Sequence, residues 1–365
     1  MVKHIHTNIH GIMIPTPKDV FSNPRVKAFI QGQWMEKWLD YMGYKENDIF
    51  ALINHAMNSI ERSTSLGSTN LEAKLISHFR SPKLQVVKNM NTIMVNGRRG
   101  EKSRTDVIMD YLSKRLHSKL RILDIGTGNG LVAYRLANAG HEVCSIDVGD
   151  TSDTYERLGR LADGPKQLVL SRDLQYHLME PGAGLEEVIP NFHENRYDMA
   201  LVLTVFHHAQ NSYYNPAYSK WTKGWHGLLD EAIRAVKPGG MIAVLESVYG
   251  GLSLGDLKQS IGNEKYAQNQ ALYESYFRLS DAEQLKLGVF ADWWLNMLAF
   301  NNDAFCPYNF NSMQGWRELF FTKYGMDNSL ELITGFDNPE TPEFHVFWYL
   351  HKPKLYDNSK LNSQR

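Results

Sequence analysis

The sequence predicts an α/β fold built on a doubly wound parallel sheet. Three observations carry that prediction. The first is Arg121-Ile-Leu-Asp-Ile-Gly-Thr-Gly-Asn-Gly130, a buried-type strand that breaks into glycines at every second position. The second is a series of short apolar runs that end at Asp147, Asp173 and Thr204, with helical stretches between them. The third is an amphipathic segment, Leu228–Val236, closed by Lys237-Pro-Gly-Gly240 and followed by another apolar run, Met241–Glu246. Strands alternating with helices mark a parallel sheet covered by helices on its faces.

Taken in order, Arg121–Ile125 reads as the first strand. Gly126, Gly128 and Gly130 let the backbone turn tightly and approach a ligand, where a Cβ would clash or force an unfavourable φ. Their Gly-x-Gly-x-Gly spacing leans away from the dinucleotide pattern Gly-x-Gly-x-x-Gly. Leu131–Ala139 has helical periodicity and stops at Gly140. His141–Asp147 reads as the second strand. Asp147 then lies at a strand's carboxyl end, where open α/β sheets bind ligands and an acid accepts both hydroxyls of a ribose. Gln167–Asp173 reads as the third strand, with Asp173 suited to an exocyclic amine. Tyr197–Thr204 is the fourth, followed by Val205-Phe-His-His208, and Met241–Glu246 is the fifth.

Composition sets bounds. The chain has 365 residues, a formal net charge of −1 and two cysteines, Cys144 and Cys306. That length suits a large single domain or a core with a smaller partner domain. A near-neutral chain has no global field toward nucleic acid or membrane. Two scattered cysteines make neither a disulfide framework nor a zinc pattern. No apolar stretch approaches the length of a membrane span, and Met1-Val-Lys-His-Ile-His lacks a signal-peptide core. The expected location is cytoplasmic, or a host cytoplasm if the gene is viral.

The strand with Asp-x-Gly-x-Gly-x-Gly, the acid ending the next strand, "YDMALVLTVFHH" and "LLDEAIRAVKPGGMIAVLES" together resemble the class I S-adenosylmethionine-dependent methyltransferases. The resemblance covers roughly residues 105–250, about one domain's length. The "VFHH" after strand four is similar to the subset acting on small molecules, lipids or some tRNAs, and not to the Asn/Asp-Pro-Pro-Tyr motif of DNA and glutamine amino-methyltransferases. The resemblance implies a Rossmann-like, seven-stranded sheet with a C-terminal antiparallel hairpin, for which Glu331–Phe336 and Phe344–Leu350 are the candidates. It implies S-adenosyl-L-methionine as methyl donor and S-adenosyl-L-homocysteine as product. Asp124, Gly126, Thr127, Gly128 and Gly130 would face the methionine moiety, Asp147 the ribose, and Asp173 with Leu174 the adenine. Thr204, at the end of strand four, joins the cofactor-binding set.

The implied domain order is a mainly helical N-terminal cap over 1–115, a methyltransferase domain over 116–352, an aromatic-rich insertion at about 247–328, and a polar tail over 353–365. Arg25–Tyr41 and Asp48–Ile60 carry apolar residues at helical spacing. They form either a cap over the ligand edge or a packing subdomain without ligand contact. Arg80–Arg104 is locally basic. It is either a solvated loop or a source of an arginine, Arg99 or Arg104, for the carboxylate of S-adenosylmethionine. The aromatics from Tyr266 to Tyr324 are either core or a lid that excludes water and embraces the sulfonium.

Methyl transfer needs an acceptor placed in line with the sulfonium methyl and, for hydroxyl or amine acceptors, a path for a proton. His207 and His208 follow strand four, beside the expected methyl position, so one of them can act as base. The alternative is that one orients the loop and the other packs. Glu246, at the end of strand five, is the third catalytic candidate; its alternative is a hydrogen bond to a neighbouring loop. His4, His6 and His10 alternate near the N-terminus and form either a metal site or, as expected with no carboxylate or cysteine partner nearby, a flexible, solvated arm. The leading expectation is a transferase acting on an O or N atom of a small-molecule or nucleotide-like acceptor. Alternatives are an RNA or DNA methyltransferase that clamps nucleic acid through Arg80–Arg104, a non-catalytic S-adenosylmethionine binder, and a dehydrogenase. The sequence is silent on oligomeric state.

Overall fold

The structure, a computed structural model, describes residues 17–34, 104–128, 130–147, 174–178, 185–189, 191–207, 214–215, 220–221, 225–292, 310–334 and 344–354. The strands are β1 (Arg121–Ile125), β2 (Glu142–Asp147), β3 (Leu174–Leu178), β4 (Tyr197–Leu203), β5 (Tyr214–Asn215), β6 (Lys220–Trp221), β7 (Val236–Tyr249), β8 (Asn311–Ser312), β9 (Asp327–Thr334) and β10 (Phe344–His351). Among the described residues, the main sheet has eight strands: a path β3-β2-β1-β4-β7-β10-β9, and β8 beside β7. β5 and β6 form a separate antiparallel pair. β1 pairs in parallel with β2 and β4, β2 with β3, and β4 with β7. The fold is α/β and Rossmann-like.

The strand order reverses direction around β1, whose neighbours are β2 on one side and β4 on the other. In such sheets the crevice at the reversal, outside the carboxyl ends of the strands, holds the ligand. The loops after β1, β2 and β4 therefore lie where a ligand is expected. β1 is buried throughout its apolar residues: Ile122, Leu123 and Ile125 have almost no exposure. A strand covered on both faces reads as a continuous apolar run, which is why the sequence placed it well. Leu131–Asn138 folds as a helix that buries Leu131, Ala133, Leu136 and Ala137. Leu136 packs in one cluster with Leu112, Ile122, Val143, Leu201, Ala243 and Phe347. Each such large side chain contributes roughly 1.5–3 kcal/mol on burial.

Lys237-Pro-Gly-Gly240 is a bulge within β7. Tyr197 pairs with Val236, but Met199 pairs with Met241, so the bulge steps out of the β4 ladder. Gly240 has no room for a side chain: a Cβ there would lie 2.8 Å from the Asp198 carbonyl oxygen. The bulge pairs instead with the end of β10, where Gly239 donates its N–H to the Lys352 carbonyl and Lys352 donates its N–H to that of Gly240. The buried Lys352 ammonium donates to Asn195 Oδ1 and to the carbonyls of Ile233 and Val236 at 2.8–3.0 Å.

The chain divides into two compact units. One comprises Thr105–Glu246, Trp316–Leu332 and Val346–Arg365; the other comprises Met1–Arg104, Ser247–Gly315 and Ile333–His345. In the second, helix Pro24–Phe29 starts because Asn23 Oδ1 accepts from the amides of Arg25 and Val26. The expected single helix Arg25–Tyr41 instead widens into a π-turn at Ile30–Trp34, and residues 35–41 lie outside the described set. Helices Leu254–Ile261, Asn263–Gln268, Gln270–Phe277 and Asp281–Asp292 follow β7. Tyr273 and Tyr276 are buried there, and Tyr276 meets Phe344 edge-on at 4.7 Å. These described aromatics are core. Trp293, Trp294, Phe300, Phe305 and Tyr308 lie outside the described residues, as do Asp48–Ile60 and residues 80–103.

The third strand is a correction. The expected run Gln167–Asp173 lies outside the described residues, and the strand that pairs with β2 is Leu174–Leu178. Pairing with β2 is a non-local requirement that the local sequence does not announce.

Candidate active site

The site begins where β1 ends. Gly126, Gly128 and Gly130 take φ values of +73°, +56° and +68°, a region that favours glycine. The turn is tied to β2: Gly126 and Thr127 both donate to the Ile146 carbonyl, at 2.8 and 3.1 Å. Gly128 donates its N–H to Asp147 Oδ2 at 2.7 Å. One carboxylate oxygen of the half-buried Asp147 thus braces the turn.

Asp124 sits in β1, two residues before Gly126, and is only 2 % exposed. Among the described residues, its Oδ2 and the Thr127 hydroxyl are buried without a hydrogen bond of good geometry, although the two groups lie close enough to interact. Burial raises the Asp124 carboxyl to about 6; the charge of Asp147 adds to the rise, and the Thr127 hydroxyl opposes it. A buried acceptor left unmade costs roughly 1–3 kcal/mol. A ligand group carrying donors or positive charge repairs that cost, so these residues fit the cationic head of an amino acid.

The chain leaving β4 forms the other wall. Thr204 has φ +58°, an outlier for a β-branched residue and a conformation costing roughly 1–3 kcal/mol. It is held there: its N–H donates to the Leu245 carbonyl at 2.6 Å. The next two amides, Val205 and Phe206, donate to Glu246 Oε1 at 2.7 and 2.6 Å. Glu246 Oε2 meets His207 Nδ1 at 2.8 Å. A carboxylate only accepts, so Nδ1 donates, and a neutral His207 carries its lone pair on Nε2.

This geometry corrects one sequence expectation. Glu246 is fully buried, and both of its oxygens are engaged with the loop after β4. It is a clamp on that loop, its oxygens spent on Val205, Phe206 and His207. Leu174 is a second correction. It opens β3 and pairs with Val143, whereas Leu178 pairs with Asp147. At about 3.3 Å per residue that puts Leu174 roughly 13 Å from the carboxyl edge. Asp173, His208 and Arg99 lie outside the described residues. Arg104 opens helix Arg104–Ser113. Gly126, Thr127, Gly128, Gly130, Thr204 and His207 belong to the loops after β1 and β4, while Asp124 lies near the carboxyl end of β1 and Asp147 ends β2.

Sequence reasoning missed Val205 and Phe206. A Cβ on Gly126 would lie 2.5 Å from Val205 Cγ2, so the Val205 side chain fills the space over the glycine turn. Phe206 is fully buried, its ring 5.8 Å from that of Trp316, which stacks on Phe320 at 5.5 Å. The only signal was two apolar residues standing between a strand end and two histidines. Among the described residues, no group of three or more histidines, cysteines or acids is placed to hold a metal ion. Among the same residues, no helix is long and apolar enough to cross a membrane.

Residues 123–244, from inside β1 to inside β7, match the family model described as a methyltransferase domain. Those residues make up about a third of the chain. Over 121 residues this domain is 30% identical to the ubiquinone biosynthesis O-methyltransferase of Hydrogenovibrio crunogenus. That match takes in 33% of this chain and spans 40% of the length of that relative. Among solved structures, the Burkholderia thailandensis 1,6-didemethyltoxoflavin-N1-methyltransferase, with bound 1,6-didemethyltoxoflavin and S-adenosylhomocysteine, is 12% identical with a TM-score of 0.42, covering 73% of this chain and 87% of that one. A methyltransferase from Methanosarcina mazei is 14% identical with a TM-score of 0.38, covering 67% and 97%.

Proposed function

We propose that this chain transfers a methyl group from S-adenosyl-L-methionine to an O or N atom of a small-molecule or nucleotide-like acceptor. The observation that carries the reading is the buried Asp124 Oδ2, left without a well-formed hydrogen bond near the end of β1, beside a glycine turn braced by Asp147. Asp124 and Thr127 receive the amino-acid head, with the backbone of Gly126, Gly128 and Gly130 shaping the seat. Asp147 braces the turn and is the candidate for the ribose. Asp173 remains the adenine candidate by sequence. Arg104 is the candidate for the donor's carboxylate. Thr204 borders the seat from the β4 side. The donor, when bound, supplies a methyl on a positively charged sulfur.

The chain's own part is placement and proton handling. His207, fixed through Nδ1, takes the acceptor's proton at Nε2, with His208 as the second candidate. Glu246 fixes the tautomer that makes this work, following the logic by which a base is oriented by a third group. Such a base contributes about 10²–10⁴-fold. Around this domain we place a helical N-terminal cap (1–115), the insertion at 247–328 and an antiparallel hairpin of β9 and β10, all in a cytoplasmic protein.

The test is transfer of radiolabelled methyl from S-adenosylmethionine to a panel of small phenols, amines and nucleosides. His207→Ala and His208→Ala should slow transfer while leaving S-adenosylhomocysteine affinity unchanged. Full activity in both removes the base role; no transfer to any acceptor by the parent favours a non-catalytic binder.

A further inference from the structure

We infer that Val205 is a positioning residue that couples occupation of the glycine turn to the state of His207. The inference rests on the proposed reading of the site. Four consecutive residues after β4 each make a different attachment. Thr204 turns the chain through a left-handed conformation. Val205 sends its side chain over Gly126 and its N–H to Glu246 Oε1. Phe206 gives its N–H to the same oxygen and its ring to the Trp316 cluster. His207 binds the second Glu246 oxygen.

Val205 is therefore the residue here that touches both the cofactor turn through its side chain and the Glu246 clamp through its backbone. Gly126 cannot shift toward β4 without displacing the Val205 methyls. Val205 cannot shift without straining a short hydrogen bond to a fully buried carboxylate. Close-packed contacts of this kind have few soft alternatives, so a small movement at one end is felt at the other. The β-branched side chain has little χ1 freedom with which to absorb the push. Seating the donor's methionine moiety on Gly126 and Gly128 presses on Val205, and Glu246 passes the change to the His207 ring. Thr204, already strained, is the compliant point.

The test uses S-adenosylhomocysteine as probe and the His207 imidazole as readout, in full-length protein. Two-dimensional ¹H–¹⁵N spectra identify His207 by its loss in His207→Gln. Saturating probe should move the His207 titration midpoint by at least ~0.5 pH unit in the parent, a change in its charged-state environment. Val205→Ala should bind the probe within about threefold of the parent while the His207 midpoint stays still. Val205→Thr, which keeps the branched shape, should restore the shift. An equal shift in Val205→Ala and parent overturns the coupling. If Val205→Ala does not fold, the parent still decides: probe binding should slow amide exchange at Val205 and Phe206, and unchanged exchange overturns the coupling. Failure of the parent to bind the probe at all overturns the reading of the site beneath it, an outcome distinct from binding without coupling.

Discussion

Glu246 offers the sharpest quantitative test of how the loop after β4 is held. Two substitutions separate its roles. Glu246→Ala leaves the Val205 and Phe206 amides buried without an acceptor, at roughly 1–3 kcal/mol each, or about 2–6 kcal/mol together. Relaxation of Thr204 from its left-handed conformation offsets part of this, by up to about 1–3 kcal/mol. The net loss, low ends and high ends paired, is then ~1–3 kcal/mol, against a typical domain stability of about 5–15 kcal/mol. Glu246→Gln keeps a carbonyl oxygen for both amides and loses only charge assistance, so it costs about 1 kcal/mol. Its amide N–H, however, faces His207 Nδ1, which must then accept, and the proton moves to Nε2. Urea unfolding of the three proteins, followed by tryptophan fluorescence, gives the stabilities. Imidazole ¹⁵N shifts give the tautomer. The reasoning fails if Ala and Gln variants are equally stable and both lie within about 0.5 kcal/mol of the parent, or if His207 keeps its tautomer in Glu246→Gln.

Two further substitutions read buried charges. The folded Asp124 carboxyl lies at about 6, above the ~3.9 of an unfolded chain. The folded state then binds that proton more tightly, so the stabilising contribution is complete below about 4 and is lost as pH rises to about 6. Asp124→Asn should remove this slope, leaving the empty variant more stable than the parent at pH 7 while it binds S-adenosylmethionine at least ~10-fold more weakly; matching pH–stability curves for the two would show that the burial is misread. Lys352 is lowered to about 8 by burial, with Glu194 acting in the opposite direction, against ~10.4 unfolded. Its folded form gives up the proton first, so stability should climb between pH 8 and 10 in the parent. Lys352→Met should abolish that climb and, by orphaning the Ile233 and Val236 carbonyls, lower stability at pH 7 by roughly 2–4 kcal/mol. A thermal midpoint equal to the parent's would contradict the anchoring role.

What the sequence revealed and what it hid divide along local and non-local causes. β1, β2, β4 and the second half of β7 were legible because buried parallel strands are continuous apolar runs bounded by glycine or polar residues. The Lys237-Pro-Gly-Gly240 block was legible as punctuation; its form as a bulge was not, because it depends on Asp198 and Lys352, far away in the chain. Leu174-Gln-Tyr-His-Leu178 was not legible as β3 because it lies at the end of the strand path and its composition is mixed. Within the site, the glycines and Asp147 announced themselves through spacing. Glu246 looked like an acid at an open strand end, yet its partners are some 40 residues back and hold it inside. No local signal marks Thr204 as left-handed, since β-branched residues disfavour that region. Tertiary bonds impose it, which is how strain persists at functional sites.

The central claim is that the turn Asp124–Gly130, braced by Asp147, seats S-adenosylmethionine. Isothermal titration of the parent and of Asp147→Ala with S-adenosylhomocysteine, alongside NAD, tests it most directly. The account predicts saturable 1:1 binding to the parent, a loss of at least ~10-fold (about 1.4 kcal/mol) in Asp147→Ala, and no heat with NAD. Binding of NAD but not S-adenosylhomocysteine, or equal affinity in parent and Asp147→Ala, would contradict it.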